Sequence, residues 1–395
     1  MTETAQPSEA PAPEREPTWR DGKRYLWLLG LVLPALPMLS WALAGATGSG
    51  VFWWISLPIV FGLVPLADLL VGKDSANPPD RVLHRLEGDR YYRWCTYLYL
   101  PLQYAALVLA CWLWSRGGLS PADKAGLTVT LGLVAGFGIN TAHELGHKKD
   151  ALERWLARVA LAQTCYGHFY IEHNRGHHVR VATPEDPASS RLGQSFWEFL
   201  PRAVLGSLRS AWGLEKRRLE RRGTSPWTPR NDVLSAWAMS VLLFGVLSAV
   251  FGPTVLPMLL AQAVIGFCLL EVVNYLEHYG LLRQRTASGR YERCTPRHSW
   301  NSDDIASNVF LYHLQRHSDH HAHPARRYQA LRHFDESPQL PTGYAGMVLL
   351  ALVPPLWRRV MDPRVLSHYG GDVTRANIHP RTRRKVLARH GGGER

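Results

Sequence analysis

The sequence predicts an all-α integral membrane protein with six transmembrane helices and a cytoplasmic, histidine-rich region. Three observations carry this. No Asp, Glu, Lys or Arg occurs from Tyr25 to Ala67, Trp94 to Ser115, Ala125 to Ala142 or Val233 to Leu270, and a spanning helix needs about 20 predominantly apolar residues. The 45 Lys and Arg crowd the segments on one side of those runs, and half of the 18 histidines fall in four short clusters. Hydrophobic residues make up 46% of the 395 positions and charged residues 19%, which excludes disorder throughout. The mean hydropathy of −0.15 averages over strongly segregated segments, and such segregation excludes a soluble cytosolic enzyme.

Taken in order, residues 1–24 read as a disordered cytoplasmic tail without a cleavable signal, since Met1–Arg20 holds four prolines and several acidic residues. The first apolar run is too long for one helix. Ala46-Thr47-Gly48-Ser49-Gly50 divides it into spans at about 25–46 and 51–71. A third span is expected at about 94–115, and a fourth at about 122–147 with charge in its last turn. The Val233–Leu270 run divides at Gly252-Pro253-Thr254, giving spans at about 233–251 and 255–278. Residues 25–147 therefore form a four-helix membrane unit, 148–232 a connection, 233–278 a helix pair and 279–395 a C-terminal region. Within the last, 345–357 is apolar but short, and Pro354-Pro355 interrupts it. It reads as an interfacial or re-entrant segment. The Gly391-Gly392-Gly393 run marks a loose end.

Six spans put both termini on one side with the 72–93 and 148–232 connections. The opposite side keeps short turns with only Arg116 and Lys124. The positive-inside rule then assigns both termini and both large connections to the cytoplasm. This rule and anionic headgroups explain much of the net charge of +13, and no nucleic-acid motif competes. The five cysteines contain no C-x-x-C pair, which excludes rubredoxin-type, iron–sulfur and zinc-ribbon sites within this chain. Cys111 and Cys268 lie in apolar runs, where a thiol behaves as a small hydrophobe; no disulfide framework is implied.

The histidine clusters carry the chemistry. His143-Glu144-Leu145-Gly146-His147 closes the fourth span; positions i and i+4 share a helix face, so both imidazoles can reach one metal. Alone this H-E-x-x-H is ambiguous, because zinc proteases use the same spacing. In Glu172-His173-Asn174-Arg175-Gly176-His177-His178 a helix would put His173 and His177 on one face and His178 about 100° round, and such neighbours can serve two metals. His278 ends the sixth span in Asn274-Tyr275-Leu276-Glu277-His278, and His317, His320 and His321 are spaced i, i+3, i+4. A single zinc takes three or four ligands. Nine imidazoles at one membrane face suit two ions, and imidazole alone does not choose among Fe, Zn and Cu.

The four motifs, HELGHK at His143–Lys148, EHNRGHH at Glu172–His178, NYLEHYGL at Asn274–Leu281 and LQRHSDHHA at Leu314–Ala322, resemble those of the bacterial membrane-bound alkane 1-monooxygenases. The similarity runs from about Tyr25 to Pro363 and includes Val181–Pro187. Xylene monooxygenases and membrane fatty-acid desaturases share the histidine-rich plan. The resemblance implies six transmembrane helices in the bacterial inner membrane, two Fe ions in a non-haem di-iron centre, and O₂ as oxidant. It further implies n-alkanes as substrate and electrons from a rubredoxin served by an NADH-dependent rubredoxin reductase. By it, His143, His147, His173, His177, His178, His278, His317, His320 and His321 are the iron ligands, and no catalytic residue is implied beyond the metal centre. It also implies that a bulky residue on the second span stops the alkane. Counting back from Pro65, that position falls at Val60, whose small side chain would lengthen the cavity; the alternative has Val60 facing lipid with Trp53, Trp54 or Phe61 filling the space.

Ligating histidines usually donate their other ring N–H to a carboxylate or carbonyl. Glu144, Glu172, Glu277, Asp319 and Asp186 are the expected partners, each steadying a ring from another cluster. His168 is expected to line the site, His313 to sit beside the ligands rather than to be a tenth, and His323 to lie past the helix end. His84, His298, His333, His368, His379 and His390 are expected at the surface or in packing. A separate electron donor is required, because the chain has no recognisable G-x-G-x-x-G loop. Arg217, Arg218, Arg221 and Arg222 offer an acidic donor a surface, or are a solvated run. Three competing readings remain. A fatty-acyl desaturase needs a polar headgroup or carrier site. A zinc protease with Glu144 as base leaves three clusters unexplained. A metal transporter needs polar groups along spans that are almost bare of them.

Overall fold

The computed structural model describes residues 19–390. Among them every regular element is helical, and extended chain pairs only at isolated bridges. Most of the expected N-terminal tail and the Gly391–Gly393 run lie outside the described residues. The tail ends earlier than expected, however. Trp27 Nε1 and Tyr92 OH both donate to Asp21, at 3.0 and 2.9 Å, and Arg24 pairs with Asp89. Residues 19–24 therefore belong to the folded body.

Among the described residues, five helices are long and apolar enough to cross a membrane: α1 (Leu26–Thr47), α3 (Arg90–Arg116), α4 (Pro121–Gly146), α7 (Asp232–Phe251) and α8 (Pro253–Glu277). Between α1 and α3, the stretch expected as a continuous second span is a 3₁₀ turn, Gly50–Trp54, followed by α2 (Ser56–Val71), which is shorter than a span. Proline is the cause. Pro58 and Pro65 carry no N–H, and before Pro65 the helix widens so that Val64 N–H reaches Ile59 O, five residues back.

α4 is the central helix, with 78% of its apolar window buried against 28% for the peripheral α7. It packs most extensively on α8, and glycine sets the approach. A β-carbon on Gly132 would stand 2.6 Å from Ile265, and one on Gly136 would stand 2.8 Å from Leu269 and 3.1 Å from Gly266 O. Small residues four apart let two helix backbones come this close. The last turns of both helices consequently reach one cavity, which His143, Asn274 and Glu277 line together.

Outside the long helices, α5 (Ala151–Ala162) packs against α4. α6 (Phe196–Glu220) opens on a capping box between Ser195 and Glu198. The short α9 (His317–Ala322) carries His317, His320 and His321, the last of the four clusters. The apolar segment expected at 345–357 forms two helices, α10 (Tyr344–Ala351) and α11 (Pro354–His368). Pro354 and Pro355 occupy the first turn of α11, where a missing N–H breaks no helical bond. All five cysteines are free thiols.

Candidate metal centre

His143 lies in the last turn of α4, His147 is its C-cap, and His278 is the C-cap of α8. His173, His177 and His178 follow the short helix Phe169–Glu172, and here the chain departs from α geometry. His173–His177 is a π-turn in which His178 N–H reaches His173 O. In an α-helix His173 and His177 would share a face. The extra residue in this turn brings His173 and His178 to one side and sends His177 to another.

The nine rings converge in two groups. One nitrogen from each of His143, His147, His173, His178 and His320 forms the first; His177, His278, His317 and His321 form the second. Within each group all ligand atoms lie within 4.8 Å of one another. His178 Nε2 stands 3.1 Å from both His173 Nε2 and His320 Nε2. His317 Nε2 stands 3.3 Å from His278 Nε2 and 3.0 Å from His321 Nε2. Two nitrogens each about 2.1 Å from one ion and at right angles to each other would be about 3.0 Å apart.

Protonation and tautomer suit the same end. Burial, reinforced by neighbouring rings, holds His147, His173, His178, His317, His320 and His321 well below the usual imidazole range. Burial likewise pushes His278 down to about 3. These rings are neutral, and each keeps a lone pair. His177 Nδ1 donates to Asp186 Oδ2 at 2.9 Å and His278 Nδ1 to His298 O at 3.3 Å, so in both the lone pair is on Nε2. The buried Nε2 atoms of His143, His147 and His177 have no hydrogen-bond partner in the protein. A buried acceptor left unsatisfied costs about 1–3 kcal/mol, and a divalent metal in each group would satisfy them. The donor set fits two such ions.

The fatty acid desaturase family model matches residues 124–351. The chain is 48% identical to the alkane 1-monooxygenase of Ectopseudomonas oleovorans over 375 residues, covering 95% of this chain and 94% of that one. It is 49% identical to the alkane 1-monooxygenase of Acinetobacter baylyi over 377 residues, covering 94% and 92%. The chain belongs to the alkane 1-monooxygenase family. It is more distantly similar to the xylene/toluene monooxygenase hydroxylase component XylM of Pseudomonas putida, 30% identical over 267 residues and covering 66% of this chain and 70% of that one. The enzyme is a monooxygenase, and its histidine groups and apolar helices fit metal binding and a membrane location.

Of the five acids expected to steady the rings, the structure brings two to them. Asp186 reaches His177 from behind, through Nδ1, and also accepts from Ser189 Oγ at 2.6 Å. Burial alone would raise its pKa; the His177 ring and the hydrogen bonds outweigh this and bring it to about 2. Glu277 Oε2 lies 3.3 Å from His317 Nε2, the nitrogen that also faces His278 and His321, so it reaches this ring on the ligand side and does not accept from Nδ1 as expected; Tyr344 OH donates to Glu277 Oε1 at 3.0 Å. The other three bind cations instead: Glu144 pairs with Lys148 at 3.0 Å, Glu172 with Arg180 at 2.7 Å, and Asp319 with Arg326 at 2.6 Å. A buried carboxylate takes a full positive charge in preference to a neutral ring, and Arg326 in particular lies outside the spacing that sequence adjacency can weigh. Glu144, so occupied, does not stand as a protease base.

His168 is buried with neither ring nitrogen hydrogen-bonded; it packs on Tyr166 and does not join either group. His313 turns away, with both nitrogens engaged elsewhere. His323 follows α9 and bonds Asp319 at 2.8 Å. Sequence reasoning missed Tyr344 and the His298 carbonyl. The first immediately precedes the segment expected to be interfacial, and the second is a backbone atom that no side-chain pattern marks.

Beside the histidines is a narrow apolar cavity of about 70 Å³. Leu33, Val60, Phe61, Val64, Phe137 and Leu269 form its walls, and His143, His173, His317 and Glu277 stand at its polar end. Val60 is buried and faces this cavity rather than lipid. Trp53 packs in a different core, with Leu107 and Leu131, and Trp54 lies against Gly126.

Proposed function

We propose that this chain is an integral-membrane, non-haem di-iron monooxygenase that hydroxylates the terminal carbon of n-alkanes to 1-alkanols. It would use O₂ and electrons from a rubredoxin reduced by an NADH-dependent reductase. The observation that carries the reading is the pair of convergent imidazole groups opening on an apolar cavity. In this reading His143, His147, His173, His178 and His320 hold one iron, and His177, His278, His317 and His321 the other. Alkane chemistry is also what the names of the similar proteins state.

Six spans with both termini in the cytoplasm of the bacterial inner membrane belong to the same proposal. The 3₁₀ turn and α2 together rise roughly 34 Å, against a hydrocarbon core of about 30 Å, which supports a sixth crossing. The units proposed from sequence then become a four-helix unit to His147, a helix pair ending at His278, and cytoplasmic connections between and after them.

Two ferrous ions bound to the rings would supply the O₂ activation that no side chain provides. The protein's part is geometric. The cavity walls are mainly apolar, and of the polar side chains among them Asn140 and Ser307 are spent on hydrogen bonds to Leu311 O and Asp68, so an alkane enters lengthwise and presents its terminal carbon to the histidine end. Phe61, Phe137 and Leu269 exclude water from the reacting carbon. Asp186 keeps the His177 ring in one tautomer and orientation. A fatty-acyl desaturase would need a polar headgroup or carrier site beside the cavity, and the apolar walls favour the alkane.

The donor reading is supported by a groove in which Arg217 joins Arg180, Arg191, Arg202 and Arg209. Arg218, in contrast, is paired with Glu215 at 2.6 Å. An acidic carrier matches that surface. Metal analysis of the purified protein, coupled to a rubredoxin-driven assay with an n-alkane and a fatty-acyl substrate, tests the proposal. Two irons per chain and a 1-alkanol product are expected. Zinc, or product from the acyl substrate alone, would overturn it.

A further inference from the structure

The chain enters α9 through Tyr312 and His313, whose φ angles are 50° and 53°. Left-handed backbone at a residue with a β-carbon is strained and persists only where the surroundings over-determine it. Two such residues stand in succession shortly before His317, so the direction in which α9 delivers His317, His320 and His321 depends on what holds this corner.

Both residues are held from the N-terminal side. Tyr312 OH donates to Cys95 O at 3.1 Å, and its ring packs where a β-carbon on Gly30 would stand. The His313 ring meets Trp27 edge-on, with centroids 4.7 Å apart. Its Nδ1–H donates to Tyr328 O at 2.9 Å, which leaves the Nε2 lone pair facing Lys23 Nζ at 3.1 Å. Lys23 lies 290 residues earlier in the chain, ahead of the first span. Its ammonium also donates to Asp74 Oδ2 at 2.7 Å. Arg316, the residue before His317, donates to Asp74 O at 2.8 Å and to Ala76 O at 3.1 Å. Lys23 and Arg316 thus tie the corner and the start of α9 to the same short segment.

We propose that Lys23 is a positioning residue for the metal centre: by fixing the His313 ring it holds the left-handed corner that aims the three α9 histidines. The inference rests on reading those histidines as ligands. An ammonium suits the task because it can only donate, so it selects the His313 tautomer with hydrogen on Nδ1. It also accounts for His313 standing outside both groups although it lies one helical turn before His317: both of its nitrogens are committed to the latch.

The test uses full-length protein in detergent, loaded with iron and then exposed to a chelator, with iron per chain followed over time. Hydrogen exchange of residues 312–322 in the metal-free protein is a second readout. Lys23→Met should lose iron about tenfold faster than wild type, the scale at which residues supporting a metal ligand act, and should exchange faster across 312–322. Lys23→Arg, which keeps the cation, should stay close to wild type. Asn accepts left-handed backbone readily, so in a His313→Asn background Lys23→Met should add little. Wild-type iron retention in Lys23→Met, or an undiminished effect in the His313→Asn background, would overturn the proposal. Should Lys23→Met fail to accumulate folded, Lys23→Ala, which also has no donor, takes its place, and wild-type retention there gives the same refutation. A wild-type chain that binds no iron would overturn the proposed function instead, leaving the metal-free exchange comparison to judge Lys23.

Discussion

Asp186→Asn should weaken one metal group and spare the other. The carboxylate is fully buried and accepts from His177 Nδ1 at 2.9 Å and from Ser189 Oγ at 2.6 Å. Asparagine keeps the size and one acceptor oxygen but removes the charge. A hydrogen bond to an ionised partner contributes about 1.5–3 kcal/mol, against about 0.5–1.5 for a neutral one. The difference of roughly 1–2 kcal/mol corresponds to a loss of affinity of about 5- to 30-fold. His177 belongs only to the second group, so a chelator titration followed by metal analysis should pass through a plateau near one metal per chain. Wild type should lose both ions at higher chelator. Glu144→Gln serves as control, because Glu144 binds Lys148 rather than a ring; it should leave the titration unchanged. If Asp186→Asn titrates like wild type, the support that Asp186 gives His177 contributes nothing to metal binding, and the reasoning fails.

Val60→Trp should shift the preferred n-alkane to a shorter chain, with each excluded methylene worth about 0.8 kcal/mol. A product series by gas chromatography reads this, and an unchanged profile would mean the substrate does not pass Val60. Gly136→Ala should destabilise the protein by about 1–3 kcal/mol, since the added carbon meets the Gly266 carbonyl, which cannot move aside; an unaltered melting temperature in detergent would contradict the close α4–α8 approach. The purified chain with NADH alone should form no alkanol. Adding rubredoxin and its reductase should restore turnover that slows as salt rises, and salt-independent turnover would remove the electrostatic account of docking.

Much of the architecture could be read from charge alone. Runs without Asp, Glu, Lys or Arg mark five of the long helices because ionised side chains are excluded from hydrocarbon whatever the tertiary fold. The pairing of His143 with His147 was equally legible, since α4 is a regular helix there and spacing four means one face. The same rule fails at His173–His178. A π-turn changes the residues per turn, and nothing in the local composition announces it. The second span was misread as continuous because its two prolines act through the particular hydrogen bonds they break. Carboxylate partners were the least legible. Glu172 and Asp319 adjoin ligand rings in sequence yet bind Arg180 and Arg326 in space, and which charge reaches which carboxylate is decided by packing.

Each histidine group draws rings from both halves of the chain. The first needs His143 and His147 from α4 together with His320 from α9, and the second needs His177 as well as His278, His317 and His321. During synthesis at about 5–20 residues per second, roughly ten to thirty seconds separate the appearance of His147 from that of His320. A nascent chain with its first helices already in the membrane therefore carries only part of either group. A metal ion meeting that partial set would be held weakly and released, so the interleaved arrangement delays stable loading until α9 is in place.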